Sequence, residues 1–188
     1  MKIAYKTLKN GFSMPIIGKG TWMTNIGRKP HASLKDNARI EKIKRAVDSG
    51  ITYLDTAERY SNGYGETLIG KAIKEYSREK LFLASKVSSD NLGYDSVIAS
   101  AKASIKRLQA SYIDLYLIHQ FNAEISLQET MRAMDYLIEQ KLIKNIGVCN
   151  FTVEQLKEVQ SYTKNKIAAN QIHYNVMFRQ PEQTGVVT

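Results

Sequence analysis

Thr52-Tyr53-Leu54-Asp55-Thr56-Ala57-Glu58-Arg59-Tyr60 is the stretch on which the reading of this 188-residue chain turns. It opens as a strand-like run and leaves that run through charged residues and a tyrosine. Two further runs of the same kind follow, Leu81-Phe82-Leu83-Ala84-Ser85-Lys86-Val87 and Ile113-Asp114-Leu115-Tyr116-Leu117-Ile118-His119. Asp55, Tyr60, Lys86 and His119 each stand at the end of one of these runs or just past it. Polar residues at the carboxyl ends of parallel strands meet on one face of an α/β fold, where its chemistry sits. The four side chains are therefore expected to converge.

Strand and helix patterns alternate outward from this stretch. Thr7 to Met14 reads as a hairpin turned at Asn10-Gly11, and Ile16 to Trp22 as a first strand. A polar loop with Gly27, Pro30 and Asn37 follows. Ile40, Ile43, Ala46 and Val47 have helical spacing, as do Leu68, Ile69, Ala72 and Ile73. A third helix is expected from about Asp95 to Leu108. Ser126, with Glu129 three residues on, has the form of a capping box opening a fourth. Asn145–Asn150 and Ile167–Ile172 read as fifth and sixth strands, with Thr152 capping the helix between them. Repeated strand–helix units of this length imply a parallel sheet. The pattern by itself leaves both an open doubly wound sheet and a closed barrel standing.

Composition limits the classes of function. The length suits one domain with a substantial core. No apolar stretch approaches the roughly 20 residues of a membrane span, and the opening residues lack the apolar core of a secretory signal. The lone cysteine, Cys149, cannot form an internal disulfide, so a reducing, cytoplasmic setting is expected. The net charge of +9 comes from lysines spread over many helices, as a solvated basic surface rather than one tract. No aromatic-interleaved basic stripe argues for nucleic acid. Gly65-Glu66-Thr67-Leu68-Ile69-Gly70-Lys71 has P-loop spacing, but Ala72 stands where the magnesium-binding hydroxyl belongs. His31, His119 and His173 are too scattered for a zinc site.

Each site residue has a plain reading of its own: Asp55 as a turn residue, Tyr60 as a loop aromatic, Lys86 as a snorkelling cation, His119 as a structural histidine. Together at three adjacent strand ends they make a proton-delivery set. A phenol holds its proton at neutral pH, and a nearby ammonium lowers its pKa and eases donation. A carboxylate keeps that ammonium charged and in place. A neutral imidazole can donate a hydrogen bond to a carbonyl oxygen. The set suits protonation of a forming oxyanion.

With these residues in place, the chain resembles the aldo-keto reductases. Asp55-Thr56-Ala57-Glu58-Arg59-Tyr60 through Gly65-Glu66 to Gly70 is similar to one family signature, and Gly147-Val148-Cys149-Asn150-Phe151 to another. Leu117-Ile118-His119 resembles its histidine strand, and Asn170 to Asn175 its sixth-strand segment. The resemblance implies an α/β (β/α)8 TIM-type barrel with an N-terminal β-hairpin plug, over a single domain spanning residues 1–188. It implies hydride transfer from NADPH, or NADH, to an aldehyde or ketone, with no metal and with a small carbonyl compound as partner. Tyr60 would be the general acid, with Asp55 and Lys86 tuning it and His119 orienting the carbonyl. Asn150 and Gln171 would hold the nicotinamide carboxamide, and Thr21, Trp22 and Asp55 would line the cofactor pocket. Cys149 stands where the family more often has serine. Only about six of eight strand–helix units can be counted, so a barrel shortened at its carboxyl end is expected, with self-association through its open edges. A catalytically inactive chain, or a non-enzymatic binding or regulatory subunit, is the alternative role.

Overall fold

In the computed structural model, which describes residues 3–22 and 34–187, two strands form a hairpin and six form a parallel sheet in strictly sequential order. The hairpin pairs β1 (Tyr5–Thr7) with β2 (Ser13–Pro15). Asn10 at its tip donates from its side-chain amide to the carbonyls of Ile167 and Ala168, which ties the hairpin under the last strand. The sheet runs β3 (Gly18–Gly20), β4 (Tyr53–Asp55), β5 (Phe82–Val87), β6 (Leu115–Ile118), β7 (Ile146–Cys149) and β8 (Ile167–Gln171). Among the described residues β3 and β8 are its edges, so the architecture is an incomplete (β/α)8 barrel of six strands. Sequential order settles what the pattern left open, because a doubly wound sheet reverses direction at a switch point and this one does not.

Helices α1 (Leu34–Asp48), α2 (Tyr64–Ile73), α3 (Tyr94–Leu108), α4 (Leu127–Glu139) and α5 (Val153–Ser161) connect the strands, and α6 (Gln180–Gln183) follows β8. Asn37, expected in a loop, lies inside α1; Gly27 and Pro30 fall outside the described residues. The expected first strand is also shorter than its apolar run, since Ile16 and Ile17 are exposed and only three residues pair. Ser126 accepts a hydrogen bond from the Glu129 backbone N–H at 3.4 Å, whereas Thr152 and Gln155 form the full reciprocal cap of α5.

The period-two alternation of the strands makes two cores. Leu54, Leu83, Val87, Tyr116, Ile118, Ile146 and Val148 point outward into a large apolar layer beneath the helices. Tyr53, Phe82, Ala84, Leu115, Leu117 and Cys149 point inward, closed from below by Phe12 and Met14 of the hairpin. Asp55 and Lys86 share the parity of the inward set and sit above it, at the carboxyl ends of their strands. The fold thus lifts the polar groups onto an apolar floor.

A buried polar cluster fixes α2 and α3 to the sheet. Glu66 is fully buried, accepts from the Ser85 hydroxyl at 2.5 Å, and pairs with Arg107 Nε at 2.5 Å. The same guanidinium lies across Gly63, where an added Cβ would come within 2.4 Å of Nε and where φ is +80°. That glycine closes a left-handed run, Ser61 (φ 52°), Asn62 (φ 56°) and Gly63, that carries the chain from Tyr60 into α2.

Candidate active site

β4, β5 and the residue after β6 supply the centre of the site. The Lys86 ammonium, 1% exposed, donates to Asp55 Oδ1 at 2.7 Å and to the Thr56 carbonyl at 2.8 Å. Its third contact is the Tyr60 hydroxyl at 3.4 Å. This is long for a hydrogen bond. The Tyr60 ring meets the His119 imidazole edge-on, with centroids 5.4 Å apart and planes at 77°. Tyr60 is placed by its backbone N–H on the Ala57 carbonyl, and the neighbouring Glu58 by its N–H on the Lys86 carbonyl. The Glu58 carboxylate accepts from the Ser88 N–H at 2.6 Å and from the Asn91 amide at 3.0 Å, anchoring the loop that carries Tyr60.

An open cavity of about 410 Å³ lies over this centre, lined by Trp22, Asp55, Tyr60, His119, Cys149, Asn150, Gln171, Ile172 and His173. Seven of the eight residues singled out from the sequence therefore belong to one place: six line the cavity, and Lys86 lies directly beneath Tyr60. Thr21 departs from expectation. It is 1% exposed, and its hydroxyl bonds to the Thr56 hydroxyl at 2.9 Å and to the Asp55 carbonyl at 3.3 Å. It braces the backbone of the Asp55–Thr56 turn rather than facing the cavity.

Gln171 donates from Nε2 to Asp55 Oδ2 at 2.9 Å, and its Oε1 lies 3.7 Å from the Cys149 sulfur. Asn150, in the left-handed region at φ 55°, accepts the His173 backbone N–H on its Oδ1. The Asn150 Nδ2 donor makes no hydrogen bond among the described residues, and Gln171 Oε1 meets only a weak thiol donor. One amide donor and one amide acceptor therefore remain to a ligand in the same cavity. A primary carboxamide, with its own C=O and NH₂, is the complement of that pair.

Electrostatics correct one expectation. The ammonium of Lys86 does favour ionisation of Tyr60, but burial of the phenol outweighs it and Asp55 adds to the burial, so the Tyr60 pKa lies above the usual phenol value. Lys86 sits above its ordinary value as well: burial opposes its charge, and Asp55 and Tyr60 more than offset the burial. Burial, then the cations Lys86 and Arg59, push His119 down to about 4. The Cys149 thiol is raised by burial to about 12 and is inert as a nucleophile. Among the described residues no group of three or more His, Cys, Asp or Glu could hold a metal ion.

The shift of His119 has a stability consequence. Between about pH 6.5 and about pH 4 the unfolded chain binds a proton on this ring that the folded chain refuses. Stability therefore rises with pH through that window. The full shift corresponds to about 3 kcal/mol, and solvent screening at the half-buried ring reduces it to about 2 kcal/mol. Melting curves across pH 4–7 are expected to be flatter for His119→Gln than for the parent by that amount. Superimposable pH slopes would assign the window to other groups.

Comparison with known proteins places this geometry among relatives. The sequence profile of the Aldo/keto reductase family matches residues 16–188. Methylglyoxal reductase YeaE of Escherichia coli is 34% identical over 165 residues, which cover 87% of this chain and 56% of the relative. Glyoxal reductase of Bacillus subtilis is 35% identical over 177 residues, covering 93% and 59%. The curated relatives are matched over 54% to 61% of their own length. Among solved structures, the thermostable aldo-keto reductase Tm1743 superposes with a TM-score of 0.92 at 42% identity, over 98% of this chain and 67% of that one. An aldo-keto reductase from Klebsiella pneumoniae, solved with NADPH, gives 0.84 at 31% identity, over 97% and 62%.

Proposed function

This chain belongs to the aldo-keto reductase family, and we propose from that premise that its site reduces an aldehyde or ketone to an alcohol with NADPH or NADH, Tyr60 acting as the general acid. The observation that carries the reading is the contact of the Tyr60 hydroxyl with Lys86, itself 1% exposed and paired with Asp55, at the floor of the cavity. Small dicarbonyl compounds, the substrates named for the E. coli and B. subtilis relatives, are the first class to test.

The magnitudes choose between the two proton carriers. An imidazole with a pKa of about 4 is protonated in only about one molecule in a thousand at pH 7. That makes His119 a poor acid at neutral pH, and Tyr60, protonated throughout the neutral range, the better one. His119 serves as a neutral donor. Its Nδ1 is buried without a partner among the described residues, and the neighbouring cations favour a bare lone pair there. That leaves the ring proton on Nε2, free to bond a carbonyl oxygen and hold it toward Tyr60. Asn150 and Gln171 would hold the carboxamide of a nicotinamide ring; when bound, that ring supplies hydride to the carbonyl carbon. As the oxygen gains charge, the Tyr60 O–H bond breaks and its proton completes the alcohol. The tyrosinate left behind sits beside the Lys86 ammonium until solvent returns the proton.

Trp22 gives the test. It is the one tryptophan of the chain, 62% exposed, and on the cavity wall. Saturable quenching of its fluorescence by NADPH, together with NADPH consumption when a small aldehyde is added, is the expected result. Quenching without consumption would support a binding role instead, and the absence of both signals would overturn the reading.

A further inference from the structure

We infer that Tyr53, two residues before Asp55 and inside the barrel, is a positioning residue that grips the Asp55 carboxylate from below; the inference rests on the reading of Tyr60 as the acid. Tyr53 and Asp55 share the inward face of β4. The Tyr53 hydroxyl lies 3.3 Å from Asp55 Oδ2, the oxygen that also accepts from Gln171 at 2.9 Å. Asp55 Oδ1 is taken by Lys86. Three donors from three strands, β4, β5 and β8, therefore fix both oxygens of one carboxylate.

The place prepared for this side chain is specific. The Tyr53 ring packs edge-on to Phe82, with centroids 5.1 Å apart and planes at 82°. On its other side lies Gly18 of β3, its register partner, where an added Cβ would come within 2.5 Å of the ring. The glycine is what lets the ring stand there. A phenylalanine would fill the same apolar space, so packing alone does not call for an oxygen. A buried hydroxyl is costly unless it is bonded, and the acceptor it finds is the charged Asp55. Burial, and then Asp55, also hold the Tyr53 pKa far above the phenol range, so it donates at every working pH.

The consequence for Tyr60 follows from charge. A hydrogen bond into Asp55 draws negative charge away from the side facing Lys86 and Tyr60. Without it the carboxylate repels a forming tyrosinate more strongly, and the Tyr60 proton is harder to release. The other charged or titratable groups around Tyr60 are Lys86 on β5, His119 after β6, Cys149 on β7, and Glu58 and Arg59 in its own loop. Tyr53→Phe leaves all of them in place.

The test reads Tyr60 directly, by NMR of chain labelled at the tyrosine Cζ carbons, with the Tyr60 signal assigned by its loss in Tyr60→Phe. In Tyr53→Phe its titration midpoint is expected to rise by about 0.5 pH unit. The same substitution made in an Asp55→Asn background is expected to move it by less than about 0.1 unit, because the carboxylate that transmits the effect is gone. Turnover in Tyr53→Phe should fall about 3–10-fold in kcat with KM within about twofold. An unmoved Tyr60 midpoint, or an equal shift in both backgrounds, overturns the inference. Retained turnover in Tyr60→Phe overturns the reading beneath it, and the titration is interpretable whether or not the chain turns over.

Discussion

Tyr60→Phe is expected to lower kcat for carbonyl reduction by roughly 10²–10⁴-fold, the range found when a positioned general acid is removed. The dissociation constant for NADPH, read by Trp22 quenching, should stay within about twofold of the parent. The two readouts separate because the two contact sets do. The residues that would hold the carboxamide, Asn150 and Gln171, stand just past β7 and at the end of β8, whereas the phenol reaches the cavity from the loop after β4. The variant also preserves the ring and its edge contact with His119, so the cavity keeps its shape. Only the proton is lost. His119 is a poor substitute near pH 7, since burial and then the cations Lys86 and Arg59 keep its ring neutral there. Unchanged kcat would exclude Tyr60 as the acid, and a proportional loss of nucleotide affinity would make it a binding group.

Why Asp55, Lys86 and His119 could be read from the sequence at all is a matter of parity. Each stands at the end of, or just past, a short β run in which inward and outward side chains alternate, so a polar residue at the last inward position sits above the apolar floor. Tyr60 was legible for a different reason: it stands a few residues past Asp55, in the loop whose Glu58 N–H bonds the Lys86 carbonyl of β5. Tyr53 obeys the same parity as Asp55 and carried the same signal, but a tyrosine inside a strand reads first as core.

What stayed hidden depended on long separations or on balances between opposing effects. Nothing local tells that Arg107 closes over Glu66, 41 positions away, or that Asn10 reaches the carbonyls of Ile167 and Ala168. The burial of Thr21 behind the Asp55–Thr56 turn is likewise a tertiary fact. The acidity of Tyr60 is such a balance, because residue types give the sign of each influence and not its size. A neighbouring ammonium favours the phenolate, yet burial of the ring is larger. Ile16 and Ile17 look like strand interior and are exposed, because apolar character predicts burial only where another layer arrives to cover it.

Lys86→Met is the second large effect, and its interest lies in pairing it with Asp55→Asn. Alone, it removes the cation from a site where the ammonium is 1% exposed and the Asp55 side chain 16% exposed. The carboxylate keeps Gln171 and Tyr53 but loses its counter-charge, and the Thr56 carbonyl loses a donor. Breaking a buried pair from one side costs about 3–5 kcal/mol, a fall in Tm of roughly 10 °C for a chain of this size. The double variant Asp55→Asn/Lys86→Met takes away the second charge as well. A neutral amide still offers an acceptor to Gln171 and Tyr53, so stability should return to within about 1 kcal/mol of the parent. Turnover should not return. In both variants kcat is expected to stay below the parent by at least about 10²-fold, because the tyrosinate formed at Tyr60 has no ammonium to stabilise it. Recovery of Tm without activity would mean that the pair is kept for proton delivery and not for the fold. Recovery of both would make Lys86 scaffolding, and a double variant as unstable as the single one would mean that the pair itself holds β4 against β5.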